Sequence, residues 1–235
     1  MLLAQVKPKS LARTPTHSVP RSSKKTPSQP RSSRVPPGLM LQYLVVLAGT
    51  DPLVWRRIRV PATYSFWDLH VAIQDAMGWL DCHLHQFRVL DPPSGTTVLL
   101  GIPDQDLPYD RSVTAGWTEF PVDYMVGDPP PIHYIYDFGD QWEHAVIFEG
   151  FEQADRRRKK PQCVAGAGAC PPEDSGGPHH YAMLITAMAD PNHPEHDGTL
   201  EWLGHPLNPS RFSVADVRFD DPQKRWRFAF DEGAS

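Results

Sequence analysis

Tyr134-Ile135-Tyr136-Asp137-Phe138-Gly139-Asp140-Gln141-Trp142-Glu143-His144 reads as a strand, a tight turn centred on Gly139 and a second strand that continues through Ala145-Val146-Ile147-Phe148. Aromatic and β-branched residues suit a pleated, half-buried surface, and the Asp-Phe-Gly-Asp step supplies turn chemistry between the two arms. Asp137 and Asp140 flank the turn, and His144 lies four residues beyond the second carboxylate. Rigid backbone here carries the densest group of potential chemistry in the chain.

The elements upstream are of the same kind. Met40–Leu47 is an apolar, β-rich run expected as a buried strand, and Gly49-Thr50-Asp51-Pro52 is a turn. Residues 54–60 alternate, with Val54, Arg56, Ile58 and Val60 on one face and Trp55, Arg57 and Arg59 on the other. Arg57 and Arg59 beside Trp55 form an anion site or, more simply, a cationic solvent face. Ser65 is a good N-cap for a helix over 66–77, with Asp68 at N3 falling just short of the usual Glu or Gln of a capping box, and Gly78 stops it. Leu69, Ala72, Ile73, Ala76 and Met77 form its apolar stripe, which His70 flanks. His83–Leu90 is strand-like, and alternation puts His83, His85, Phe87 and Val89 on one face, where the two imidazoles could meet a metal. Residues 96–100 return as a hairpin partner, and 101–130, rich in Pro, Gly and Asp, reads as an irregular insertion.

Downstream, 155–160 is a basic run that reads as a solvated loop. Residues 161–177 read as a loop, in which Glu173-Asp174-Ser175-Gly176-Gly177 could bring a carboxylate close to a ligand, or Asp174 and Ser175 could cap the following helix. That helix spans 181–189, with Tyr181, Leu184, Ile185 and Met188 as its stripe. A short helix over 198–204, a further short one capped by Ser213 and a strand-like run over 225–230 complete the chain.

Charge is unevenly spread. Eight of the 23 Lys and Arg fall in residues 1–38, which hold no acid; the remainder sets 15 basic residues against all 28 Asp and Glu. A basic, Ser/Pro-rich stretch cannot bury enough apolar surface to offset its ordering entropy, so 1–38 is expected to be a disordered tail and 39–235 one domain. The tail has the composition of a solvated leader, and nucleic acid is the partner it could contact, by counterion release. Cys82, Cys163 and Cys170 are too few for a disulfide framework, and no apolar run nears a membrane span, so no membrane partner and a cytoplasmic location are expected.

Taken in order, Trp55-Arg56, Ser65-Phe66-x-Asp68-Leu69-His70, Gly78-Trp79, His83-Leu84-His85-x-Phe87, the Tyr134–His144 hairpin, Pro161-x-Cys163, Pro171-Pro172-Glu173-Asp174-x-Gly176-Gly177, Tyr181, Trp202 and Pro209-x-x-Phe212 match a known family. Over about residues 39–220 the chain resembles the Ri-plasmid (pRiA) ORF-three-like family, also known as the passenger TnpR-type protein of insertion elements. The resemblance implies a single α+β domain with a mixed, mostly antiparallel sheet covered by helices, and a bacterial protein tied to mobile elements whose activity is not established. The serine nucleophile with supporting arginines of one recombinase class, and the Arg/His/Tyr set of the other, are both missing from the sequence.

The functional expectation is a module that binds a small ligand or a protein partner in a cleft between the Tyr134–His144 turn and the Glu173–Gly177 loop. Its residues are Trp55, Asp137, Gly139, Asp140, His144, Glu173, Asp174, Gly176, Gly177 and Tyr181. One alternative is a metal-assisted hydrolase or nuclease with a divalent metal on His83, His85, Asp137, His144 and Glu173, to which Asp140 and Asp174 could add. Another is accessory DNA binding through the tail.

Overall fold

β1 (Leu39–Leu47) is the strand about which the sheet is built. Its side chains alternate between buried and half-buried, and it pairs antiparallel with β2 (Trp55–Pro61) on one side and with β7 (Trp142–Gln153) on the other. The computed structural model describes residues 35–103, 113–155 and 160–230. β3 (His85–Leu90), β4 (Thr97–Gly101), β5 (Val113–Ala115), β6 (Ile132–Tyr136) and β8 (Gln162–Ala167) complete one eight-stranded sheet in the order β5-β4-β3-β6-β7-β1-β2-β8. Only β4 and β5 run parallel, so the mixed, mostly antiparallel sheet of an α+β fold is present as expected. The 134–144 hairpin forms in full, with Tyr136 opposite Trp142 and Tyr134 opposite His144.

α1 (Phe66–Met77) covers one face of the sheet. Its capping box is complete after all: Ser65 Oγ accepts from Asp68 N, and Asp68 Oδ2 accepts from Ser65 N at 2.9 Å. Asp is one methylene shorter than Glu, yet it reaches the cap here. The expected stripe is buried, but so are Trp67 and Val71 behind it. The cause is α5 (Pro222–Phe230), which lies against that second side and corrects the expected strand over 225–230. Trp226 and Phe230, four residues apart, stack beside Trp67 and Trp117, with Trp226 4.5 Å from Trp117 and 5.4 Å from Trp67, while Phe228 is 83 % exposed. Alternating aromatics imitate a strand, but the i, i+4 pair is the one that finds a partner. Arg225 adds an ion pair to Asp75 of α1 at 2.7 Å.

Two expected loops are also part of the sheet. Residues 162–167 form β8, because β2 supplies a ladder for a Gly/Ala-rich segment that lacks a hydrophobic pattern of its own. A Cβ at Gly166 would sit 2.5 Å from the Phe212 ring, so glycine is what lets the 209–212 turn close over this edge. Within 101–130, Val113–Ala115 forms β5 and Pro121–Tyr124 forms α2. α3 (Gly177–Ala189) starts four residues earlier than expected, with Gly176 rather than Asp174 or Ser175 at its cap, and is followed by α4 (His196–Leu203). Ser213 caps a single 3-10 turn. Arg57 and Arg59 form a compensated solvent face, paired with Glu149 at 2.7 Å and Glu152 at 2.8 Å. The expected tail lies outside the described residues up to residue 34, as does the basic run at 156–159. Residues 35–38 are docked onto the sheet, with Gly38 O accepting from Ala154 N. No helix among the described residues is long and apolar enough to cross a membrane.

The face under α1 contains a layer of buried imidazoles. His70 stacks on His85 with ring centroids 3.5 Å apart and planes 11° from parallel. His70 Nε2 lies 2.7 Å from Asp81 Oδ1 and Nδ1 2.8 Å from the Tyr134 hydroxyl, which also accepts from Gln74 at 2.9 Å. One tautomer satisfies every partner: Nε2–H donates to Asp81, and the Tyr134 hydroxyl donates to Nδ1. Burial is the main cause that holds His85 well below its ordinary range, with His70 adding to it. Burial likewise pulls His144 down to about 3.

Trp226→Ala is expected to lower the unfolding free energy by about 3 kcal/mol, measured by urea denaturation, because the aromatic group between α1 and α5 loses its centre. Acid should destabilise the fold through the two imidazoles. Above about pH 6.5 they are neutral in both folded and unfolded chains and contribute nothing to pH dependence. Below it the unfolded chain takes up protons that the folded chain refuses, so stability falls by about 1.4 kcal/mol per pH unit for each group. His144→Gln should flatten that slope by about one proton between pH 6 and pH 4, read from urea midpoints.

Candidate functional site

The turn after β6 and the loop before α3 are far apart in sequence and locked together in space. Asp137 takes a left-handed backbone at φ 56°, and its Oδ1 accepts from Gly139 N at 2.8 Å and Asp140 N at 3.3 Å. Asp tolerates this conformation better than most residues because its short side chain bonds the local backbone. Asp140 then reaches across: its Oδ2 accepts from Gly176 N at 2.8 Å. Gly177 (φ 79°) passes so close that a Cβ there would meet Asp140 O at 2.5 Å. Gly177 thus permits the approach of the two backbones.

A third segment, between α1 and β3, completes the site. His83 lies just before β3 and not on it, so it escapes the alternation that would have put it beside His85. Its Nε2 is 3.1 Å from Asp174 Oδ1 and 3.6 Å from Asp137 Oδ2. Asp174, like Asp137, has φ 56°. Glu173 is engaged otherwise: Leu80 N donates to its Oε1 at 2.7 Å, and the Tyr136 hydroxyl donates to it at 3.0 Å while accepting from Cys82 N at 3.1 Å. Burial first, and the Glu173 charge second, raise the Tyr136 hydroxyl far above its ordinary range, so it remains a donor. Ligand atoms of His83, Asp137 and Asp174 all lie within 4.8 Å of one another, as do those of Cys82, His83 and Glu173.

The expected residues therefore separate. Asp137, Gly139, Asp140, Glu173, Asp174, Gly176 and Gly177 converge with His83. His85 and His144 do not join them: His85 is stacked in the core, and His144 is buried with Nδ1 3.4 Å from Tyr134 O and its ring edge-on to Trp79. Tyr181 is a core anchor whose hydroxyl donates to Ala169 O at 3.1 Å, holding the start of the 169–177 loop. Trp55 stands on the outer face of the sheet beneath Arg57, away from the turn. A feature absent from the sequence reading is the groove between α3 and α4, with a volume of about 690 Å³. It shares Asp174, Ser175 and Gly176 with the site and is floored by Met183, Ala187 and Trp202. In the sequence the signal was Met183 and Trp202, large apolar side chains on the two helices, which the structure leaves half exposed at this groove.

Comparison with known proteins agrees with this architecture. The sequence profile described as plasmid pRiA4b ORF-3-like protein matches residues 40–216, leaving α5 outside the match. An uncharacterized protein, y4hQ, of Sinorhizobium fredii (strain NBRC 101917 / NGR234) is 35 % identical over 199 residues, covering 80 % of this chain and 94 % of its own. The crystal structure of a protein of unknown function, MM3350 from Methanosarcina mazei Go1, superposes with a TM-score of 0.71 at 34 % identity, over 77 % of this chain and 98 % of that one. With a family match over most of its sheet and two relatives above 30 % identity, this chain belongs to the plasmid pRiA4b ORF-3-like family.

Proposed function

We propose that residues 39–235 act as one ligand-binding module, with the basic stretch 1–38 outside it. The ligand lies in the groove between α3 and α4 and directs its polar end toward Asp174. The observation that carries this reading is the continuity between groove and site: Asp174, Ser175 and Gly176 belong to both, and Asp140 fixes that shared wall by its bond to Gly176 N. An apolar trough with a few convergent polar groups at one end is the usual form of a small-ligand site. Here the apolar part is Met183, Leu184, Ala187 and Trp202, and His179, His180, His193 and Glu195 edge it. The occupant is accordingly a molecule, or an extended peptide segment, with an apolar body and hydrogen-bonding groups at its end.

The test uses anilinonaphthalene sulfonate as a probe of the groove and the fluorescence of Trp202, which is 52 % exposed. Saturable binding of about one probe per chain is expected, and Met183→Asp should weaken it at least tenfold without moving the melting midpoint, because Met183 is exposed. Non-saturable binding, or binding equal in Met183→Asp and Trp202→Ala, overturns the groove as the ligand site.

A further inference from the structure

We infer that His83, Asp137 and Asp174 form a divalent-cation site at the mouth of this groove. The argument begins with a contrast between two His–Asp pairs in the same protein. His70 Nε2 stands 2.7 Å from Asp81 Oδ1, the separation of a charge-assisted hydrogen bond. His83 Nε2 stands 3.1 Å from Asp174 Oδ1 and 3.6 Å from Asp137 Oδ2 and makes no hydrogen bond to any described residue, although the atom itself is shielded from solvent. A solvent-shielded ring nitrogen that makes no hydrogen bond is costly, and an arrangement that leaves one between two carboxylates needs a reason.

The separations supply it. Ligand atoms about 2.1 Å from a common cation stand about 3.0 Å apart on an octahedral edge and about 3.4 Å apart on a tetrahedral one. The shorter distance from His83 Nε2 falls within that range and the longer one lies just beyond it, whereas both are long for a direct charge-assisted bond. Asp137 is prepared for the role. It is 7 % exposed, its Oδ1 is occupied by Gly139 N and Asp140 N, and its Oδ2 is left aimed at His83. Backbone N–H groups on one carboxylate oxygen fix the other in direction, as outer-shell bonds do for metal ligands. Both carboxylates are held at φ 56°, so the backbone at two sequence-distant points adopts an uncommon conformation to face one imidazole.

The neighbouring set of Cys82, His83 and Glu173 is the weaker candidate, because both oxygens of Glu173 already accept from the Tyr136 hydroxyl and one also accepts from Leu80 N. One imidazole with two carboxylates suits Zn²⁺ or Mn²⁺, and three protein ligands leave positions for water or for the polar end of a groove ligand. The cation would thus set which ligand ends are accepted, favouring those with an anionic oxygen.

The test titrates the full chain, stripped with EDTA, with Zn²⁺ and separately with Mn²⁺ by calorimetry. One ion per chain is expected for at least one of the two. His83→Gln and Asp174→Asn should each weaken binding at least tenfold, while His205→Gln, exposed and outside the groove, leaves it unchanged. Asp174→Asn is the decisive variant: its side chain is 72 % exposed and Asn also adopts a left-handed backbone, so the melting midpoint without metal should not move. Absence of saturable binding by both ions, or binding that survives both His83→Gln and Asp174→Asn, overturns the site and leaves an ion pair only. Anilinonaphthalene sulfonate binding measured in EDTA reads the groove separately, so either proposal can fail without the other.

Discussion

Two of the three segments that carry the polar site leave from elements tied together by one buried guanidinium. Arg56 of β2 is 2 % exposed and has no carboxylate partner among the described residues. It donates instead to main-chain carbonyls: Nε to Ala76 O at 2.9 Å, Nη1 to Trp55 O and Ala167 O at 2.8 Å, and Nη2 to Gly168 O at 3.0 Å. Its outer face lies over the Phe212 ring at 3.9 Å. Ala76 is in the last turn of α1, from which the chain runs to His83; Ala167 and Gly168 end β8, from which it runs to Glu173 and Asp174. Burial lowers the tendency of this guanidinium to hold its proton, but an Arg starts so high that it stays charged. A lysine could not serve in its place, because a single ammonium cannot fork to four carbonyls in three directions. The position of the site thus depends on a cation that never touches it.

The imidazoles show how burial sorts residues of the same type into different tasks. His70, His85 and His144 lie within the core under α1, where desolvation keeps His85 and His144 neutral and Asp81, Tyr134 and Gln74 orient His70. They act as packing and hydrogen-bonding groups on a face otherwise filled by Phe87, Tyr134 and Trp79. His83 is two residues from His85 but lies before the strand begins, on the segment that leads out of α1. It is the one of the four set between two carboxylates of other segments. What separates the core histidines from the one in the candidate site is therefore the residue at which β3 starts.

That boundary explains what the sequence made legible and what it did not. The 134–144 hairpin was readable because alternation, turn chemistry and aromatic content all agree there, and the meeting of its turn with Glu173–Gly177 followed from carboxylates and glycines at each end. His83 was assigned to the strand because local alternation cannot say where pairing stops; Tyr136 opposite His85, with Leu84 O turned to Asp137 N, is a tertiary fact. β8 was invisible because Cys163-Val164-Ala165-Gly166-Ala167 carries no periodic apolar face, and its register comes wholly from β2. α5 was misread because Trp226, Phe228 and Phe230 alternate, while the partners that choose between a helix and a strand, Trp67 and Trp117, lie more than a hundred residues away. Local pattern decides an element when the partner surface is generic, and fails when one particular neighbour decides it.

The same reasoning bears on why the site is built on strained turns and not on the faces of strands. A carboxylate on a strand would alternate into the core or onto the outer face, where Glu149 and Glu152 do no more than neutralise Arg57 and Arg59. Asp137 and Asp174, held at φ 56° at the ends of β6 and of the 161–174 segment, instead both face His83 Nε2. Asp140 and Gly177 remove the freedom such turns would otherwise have, by a bond to Gly176 N and by a contact that only glycine permits. Left-handed backbone costs about 1 kcal/mol or more at each residue and persists only where its surroundings enforce it. Here Asp137 is held within its own turn by Gly139 N and Asp140 N, while the Asp140–Gly176 bond and the close pass of Gly177 tie that turn to the opposite loop, so that His83 faces both carboxylates.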